Sequence, residues 1–146
     1  MRHLRGFTLL EILVVMAIVG ILAAAVGRGL SGSRAASRDA QRQADLRNLQ
    51  QAIEMYRQEN GQYPAACNGA NAWSGQVGTN FACTVAPYAG TGEYIVGLAP
   101  DYISVLPTDP RLPSGVGDAG YVYRTNATRD VYKIMAMNTV EADALL

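Results

Sequence analysis

The sequence predicts an α+β chain: a long N-terminal helix, membrane-spanning in its first half, whose second half packs on a small antiparallel β-sheet head. Three observations predict it. An uncharged, mostly aliphatic run, Ile12 to Val26, stands close to the N-terminus. Further on, Leu46, Leu49, Ile53 and Tyr56 recur at intervals of three, four and three, which places them on one helical face. Near the C-terminus Tyr132, Ile134 and Ala136 alternate with Lys133, Met135 and Met137, the period of a strand.

The first element is the apolar one. As a helix, Phe7 to Val26 is about 30 Å long, the thickness of a bilayer's hydrocarbon core. Arg2, His3 and Arg5 form a basic leader before it. Three readings compete. A secretory signal peptide has the basic start, the apolar core and small residues, here Ala23 and Ala25, for cleavage. An ordinary membrane anchor is the second. Both leave Glu11 as a carboxylate without a partner in an apolar helix, where ionisable residues are costly and usually paired. The third reading supplies a partner. Cleavage after Gly6 gives Phe7 a free α-amine, one helical turn from Glu11. In a bundle of such helices the Glu11 of one copy can neutralise the amine of its neighbour. Burial of such a pair does not guarantee net stability, but it penalises every register that leaves Glu11 unpaired.

Gly6-Phe7-Thr8-Leu9-Leu10-Glu11, after a basic leader and before an apolar helix, resembles the processing site of type IV pilins and type II secretion pseudopilins. The resemblance implies cleavage between Gly6 and Phe7 by a prepilin peptidase, N-methylation of Phe7, and a role for Glu11 in subunit docking. It also implies a precursor held in the inner membrane as a single-pass, N-in protein, and an extracellular or periplasmic filament once assembled. Arg2 and Arg5 on one side of the span and Arg28 and Arg34 on the other leave the orientation undecided by charge.

The helix continues from Leu30 to Asn60, where Asn60-Gly61 is a stop signal and Pro64 prevents resumption. Arg47, Glu54 and Gln58 take the face opposite the stripe. Arg42 and Arg38 stand in line with Leu49 and Tyr56, so the covered face is expected to end near Leu46. Upstream of it the helix is expected to lack globular cover, and either packs against neighbouring copies or stands as a solvated linker. Gly27, Gly29 and Gly32 sit at the join, each about 1 kcal/mol less favourable than Ala in a helix; a kink or a segment that can unwind on assembly is expected there. "AIEMYRQENGQYP", Ala52 to Pro64, is similar to the end of the long helix in type II secretion major pseudopilins and related pilins.

The head begins with a Gly- and Asn-rich stretch, Gly61 to Gly92, which reads as loop. It holds Cys67 and Cys83, the only cysteines. An even count after an export-type N-terminus suggests a disulfide; two buried free thiols are the other reading, and a metal site lacks further ligands. Trp73 and Phe81 are expected to anchor this loop, with exposure for contact as the alternative. Tyr94 to Val96 reads as a short strand and Leu98 to Leu106 as a turn with a short helical segment. "LPTDP", Leu106 to Pro110, reads as a rigid turn, and a similar step precedes the last strands of many pseudopilins. Gly120–Arg124 and Asp130–Asn138 read as antiparallel strands joined by "TNATR". Asn126-Ala127-Thr128 matches a glycosylation sequon, a triplet common by chance. The acidic tail from Glu141 is expected to be loose. Some members of the family hold calcium in the loop before these strands, here Arg111 to Gly120. It offers Asp118, carbonyls and Ser114, short of the six to eight oxygens calcium takes. Asp118 is therefore a weak calcium candidate, read first as a turn residue.

The domain plan is a leader, 1–6; a transmembrane or filament-core helix, 7–29; the second half of the long helix, 30–60; and a head, 61–146, with the cysteine loop 67–83 and the hairpin 120–138. Twelve basic and twelve acidic residues balance, so nothing in the charge points to nucleic acid. Five arginines (Arg28, Arg34, Arg38, Arg42, Arg47) nonetheless gather between residues 28 and 47. The only histidine, His3, lies in the leader, no nucleophile has an evident activating partner, and no cofactor is expected. The reading is a structural subunit of a type IV pilus-like filament, with a major pseudopilin of a type II secretion system as the alternative. The implied partners are further copies, prepilin peptidase, an inner-membrane assembly platform with its ATPase, and minor pilins. The cysteine pair departs from the usual major pseudopilin and favours a pilin. A membrane-tethered or secreted binding module, using Trp73 and the tyrosines, is the reading from another class.

Overall fold

The computed structural model describes residues 7–112 and 117–141, apart from the side chains of 25–31. In chain order the elements are α1 (Leu9–Asn60), β1 (Ser74–Gly75), β2 (Gly120–Thr125) and β3 (Tyr132–Met137). They fall into two compact units, Met1–Ala35 and Ala36–Leu146. The architecture is α+β, with helix and antiparallel sheet as expected.

In the first unit α1 continues as helix through Gly27, Gly29 and Gly32. Nothing lies within 4 Å of where a Cβ on Gly32 would stand. With no neighbour to compete for the backbone, the helix tolerates these glycines at their modest cost.

In the second unit α1 buries Leu49, Ala52 and Ile53, with Leu46 and Tyr56 at the edge of the same core. Gly61 ends the helix in the left-handed conformation, φ 75°, and its N–H donates to the Arg57 carbonyl at 2.8 Å. The sheet has the order β1-β2-β3, all neighbours antiparallel. Its register pairs Gly120 with Met137 and Thr125 with Tyr132. Tyr121 and Tyr123 face the helix, joining Tyr63, Tyr94, Ile95, Leu98 and Ala136 in the core. Their hydroxyls stay satisfied: Tyr121 donates to Asp45 Oδ2 at 2.8 Å and Tyr123 to the Pro64 carbonyl at 2.8 Å. Val122, on the other face, is also fully buried.

The expected loop before the sheet contains β1, which pure loop chemistry hid. β1 is placed by side chains distant in sequence. The Gly75 N–H donates to the Phe81 carbonyl at 2.6 Å. A Cβ on Gly75 would meet Phe81 Cβ at 3.0 Å and the Tyr121 carbonyl oxygen at 3.2 Å, so a side chain there would push its neighbours apart by a few tenths of an ångström. Asn68 Nδ2 donates to the carbonyls of Trp73, Phe81 and Ala82. Cys67 and Cys83 are joined, closing a loop with a sequence separation of 16. Trp73 is half-buried. Tyr94 to Val96 is not a strand: it contributes the single bridge Ala66–Ile95. Leu98 to Leu106 forms turns without a helical segment. In both places the backbone is committed elsewhere, with Val96 N–H bonded to Ala65 and Tyr102 and Ile103 N–H both converging on the Leu98 carbonyl.

Replacing Cys67 and Cys83 by serine should lower stability by about 3 kcal/mol, the value for a loop of this length. Urea unfolding of the full chain in detergent, followed by the fluorescence of Trp73, measures the loss.

Candidate assembly site

The start of α1 is organised by two side chains. Thr8 is its N-cap and Glu11 its third residue. Thr8 Oγ1 accepts from the Glu11 N–H at 3.2 Å, while the Thr8 N–H donates to Glu11 Oε2 at 2.9 Å. The Thr8 hydroxyl donates to the same carboxylate oxygen at 3.0 Å. This is a reciprocal capping box, which satisfies backbone donors that a helix start otherwise leaves open. Glu11 therefore has partners within its own chain. The Thr-x-x-Glu spacing is the sequence signal that points to them.

Gly6, the residue before the expected cut, lies outside the described residues. Phe7 is 83% exposed. Twelve large apolar side chains between Phe7 and Leu22 are exposed, and they occupy every face of the helix. A helix apolar all round belongs inside another medium or against other helices. Among the described residues no helix is long and apolar enough to cross a membrane; the described side chains of the apolar run end at Ala24.

A second constellation lies in the head. Arg42 is fully buried. Its guanidinium grips Asp109 in two places, Nε to Oδ2 at 2.7 Å and Nη2 to Oδ1 at 2.9 Å. Nη1 donates to Asp39 Oδ1 at 2.5 Å, and both terminal nitrogens reach Glu141 Oε1 at 3.3 Å. Glu141 also accepts from Arg38 Nε at 2.6 Å and from Arg111 Nη1 at 3.0 Å, and its N–H donates to the Asp39 carboxylate at 3.1 Å. Three cations and three anions are thus matched. Two expectations are corrected here. The covered face of α1 does not end near Leu46, because charge pairing carries it on to Asp39. The tail is not loose at Glu141, which is clasped to the helix; residues 142–146 lie outside the described residues.

The calcium candidate Asp118 accepts from Asn80 Nδ2 at 3.0 Å, and its carbonyl accepts from Asn138 Nδ2 at 2.6 Å. Ser114 lies outside the described residues, among which no cluster of three metal-ligating side chains occurs. Asn126 of the sequon is committed to its own loop: Oδ1 accepts from the N–H groups of Asp130 and Val131, and Nδ2 donates to Thr128 and Asp130.

The chain thus combines a small head, stabilised by an apolar core, internal ion pairs and a disulfide, with a first helix that exposes apolar residues behind a capped carboxylate. Residues 1–27 match the prokaryotic N-terminal methylation motif. The chain is 40% identical over 72 residues to type II secretion system core protein G of Klebsiella pneumoniae, covering 49% of this chain and 51% of that one. Against the protein of the same name from Pectobacterium carotovorum it is 40% identical over 68 residues, 47% and 44% of the two chains. Against that of Escherichia coli K12 the identity is 40% over 65 residues, 44% and 45%. The match thus spans about half the length of these relatives. No solved structure matches. The chain thus carries a prokaryotic N-terminal methylation motif and is similar, over about half its length, to type II secretion core G proteins.

Arg42→Met should destabilise the protein by ~3–5 kcal/mol, because it leaves Asp39 and Asp109 buried without their cation; urea unfolding reads this directly. The Glu141 carboxyl is held down at about 2, chiefly by its hydrogen bond from Arg38. Because its folded value lies below the ordinary 4.5, it stabilises the fold above that pH, and the contribution is lost as pH falls from 4.5 toward 2. Glu141→Gln should flatten that part of an acid-unfolding profile.

Proposed function

We propose that this chain is the major pseudopilin-type subunit of a type II secretion system. The likeness to the core G proteins carries this choice over the pilus reading, and the uncovered helix behind its capping box supports a polymerising role. In this proposal the precursor sits in the inner membrane with its head on the far side. Prepilin peptidase cuts between Gly6 and Phe7 and methylates the new amine. An assembly platform with its cytoplasmic ATPase then transfers the subunit into a helical filament, alongside minor pilins, where the apolar helices cover one another.

Glu11 acts in this scheme by exchange. In the separate chain its carboxylate is held by Thr8. In the filament it meets the amine of Phe7 on a neighbouring copy, and a charge pair in a medium of low dielectric replaces the cap. Registers that leave either charge unmatched are penalised. The Cys67–Cys83 bridge, unlike the usual major pseudopilin, is the one feature that favours the pilus reading.

Mass spectrometry of the mature protein should show an N-terminus at Phe7, monomethylated. A start at Val26 or an intact Met1 would sink the reading. Glu11→Gln should leave the chain inserted yet lower filament yield by about tenfold, equivalent to ~1.4 kcal/mol per subunit contact. Deleting the gene separates the two kinds of filament: loss of exported enzymes with surface fibres intact supports the secretion role, and loss of surface fibres alone supports a pilus.

A further inference from the structure

We infer that the head carries two complementary patches, one basic and one acidic, through which successive copies of this chain dock. The inference rests on the filament reading and assigns it a head-to-head contact.

The basic patch lies on the outer face of the sheet. The register that pairs Ser74 with Tyr123 brings Trp73 beside Arg124, and Arg124 is itself paired with Lys133. The indole just before β1, the guanidinium on β2 and the ammonium on β3 thus form one row, with the Arg124 guanidinium 5.7 Å from the Trp73 ring centre. Like charges directly opposite each other weaken a strand pair. Among the described residues neither cation has a carboxylate within salt-bridge distance, since the ion pairs fall on Arg38, Arg42 and Arg111. Asp130, close by in sequence, is tied to Asn126. With Asn71 and Tyr132 these residues line an open groove of about 370 Å³, room for an incoming side chain. Two uncompensated cations beside an aromatic face call for an anionic partner from outside, and the Arg124 fork suits a carboxylate.

The same head presents such a partner elsewhere. Glu59 and Asp101 are exposed and flank Tyr102 at the C-terminal end of α1. The Tyr102 hydroxyl donates to Glu59 Oε2 at 2.7 Å and accepts from Asn60 Nδ2 at 3.0 Å. Its ring packs on Tyr56 with centres 5.2 Å apart, so the acidic patch is held in place. Neither acid is ion-paired among the described residues. Used head to tail, two different patches of opposite charge on one chain make a heterologous contact, which propagates into an open helical array where its rotation does not close a ring.

The test uses the full-length chain in cells that assemble the wild-type filament. Arg124→Glu with Lys133→Glu should reduce filament yield by about tenfold or more, because it sets like charges against each other. Glu59→Lys with Asp101→Lys should do the same, and the fourfold combination should recover most of the yield. Chain level and oxidation of Cys67–Cys83 report folding. If reversal disturbs either, Arg124→Gln with Lys133→Gln carries the test, with a several-fold loss of yield expected and a weaker response to salt. Wild-type yield from correctly processed, charge-reversed or neutralised chains overturns the contact and leaves the groove to an acidic ligand from outside the filament. Failure of the fourfold combination to recover also overturns it. Both results leave the filament reading standing. That reading falls separately, if the unaltered chain keeps its leader and forms no filament.

Discussion

An apolar helix with nothing in its own chain to cover it is the constraint on which this molecule depends. Burying a large aliphatic or aromatic side chain is worth ~1.5–3 kcal/mol. For the twelve exposed between Phe7 and Leu22 the total is on the order of 20–35 kcal/mol. That exceeds the whole folding stability of an ordinary domain, about 5–15 kcal/mol. No adjustment within the head can compensate a term of that size. A helix apolar on every face calls for hydrocarbon or other helices around it, and in the proposed scheme a subunit passing from the first to the second does not expose this surface to water.

In the head, charge pairing is added to an apolar core. Arg42, Asp39, Asp109 and Glu141 come from α1, from the turn at Leu106 to Pro110 and from the chain after β3. Taking these charges out of water costs several kcal/mol each, and their attraction repays it only because the geometry is close and bidentate. A hydrophobic contact at the same place would tolerate a shift of the helix; this one does not. The cluster therefore fixes where the second half of α1 rests on the turn and on the end of the chain. Buried Gln76 extends the same logic, accepting from the N–H groups of Asp109 and Tyr121 and so tying the turn to β2.

What could be read from the sequence follows this division. The helix stop at Gly61, the β2–β3 hairpin and the stripe through Leu49 and Ile53 are signalled by periodicity and by residues with local conformational preferences. The cluster around Arg42 is not, since an arginine in line with an apolar stripe ordinarily marks where burial ends. Only the fold shows that Asp109 and Glu141 converge on it. β1 was hidden for a similar reason: two residues carry no period, and they are placed by Phe81, Asn68 and β2. At the N-terminus the Thr8-x-x-Glu11 spacing is a capping-box signature, legible in the sequence alone.

Cohesion and register are separate problems for a polymer of such chains. Apolar side chains on every face of a helix give strong association but little preference among alignments, because a sliding or turning helix presents much the same surface. Register has to come from groups whose mismatch is costly. Glu11 is the one carboxylate in the apolar segment, and Thr8 satisfies it within its own chain. In the proposed scheme this pairing holds until the Phe7 amine of a neighbouring copy replaces it. The proposed head patches would add a second reference point on the other compact unit. Two reference points restrict rotation as well as translation between neighbours, whereas one leaves a pivot. A subunit with the apolar helix alone would aggregate; the few polar groups are what can turn that tendency into an ordered filament.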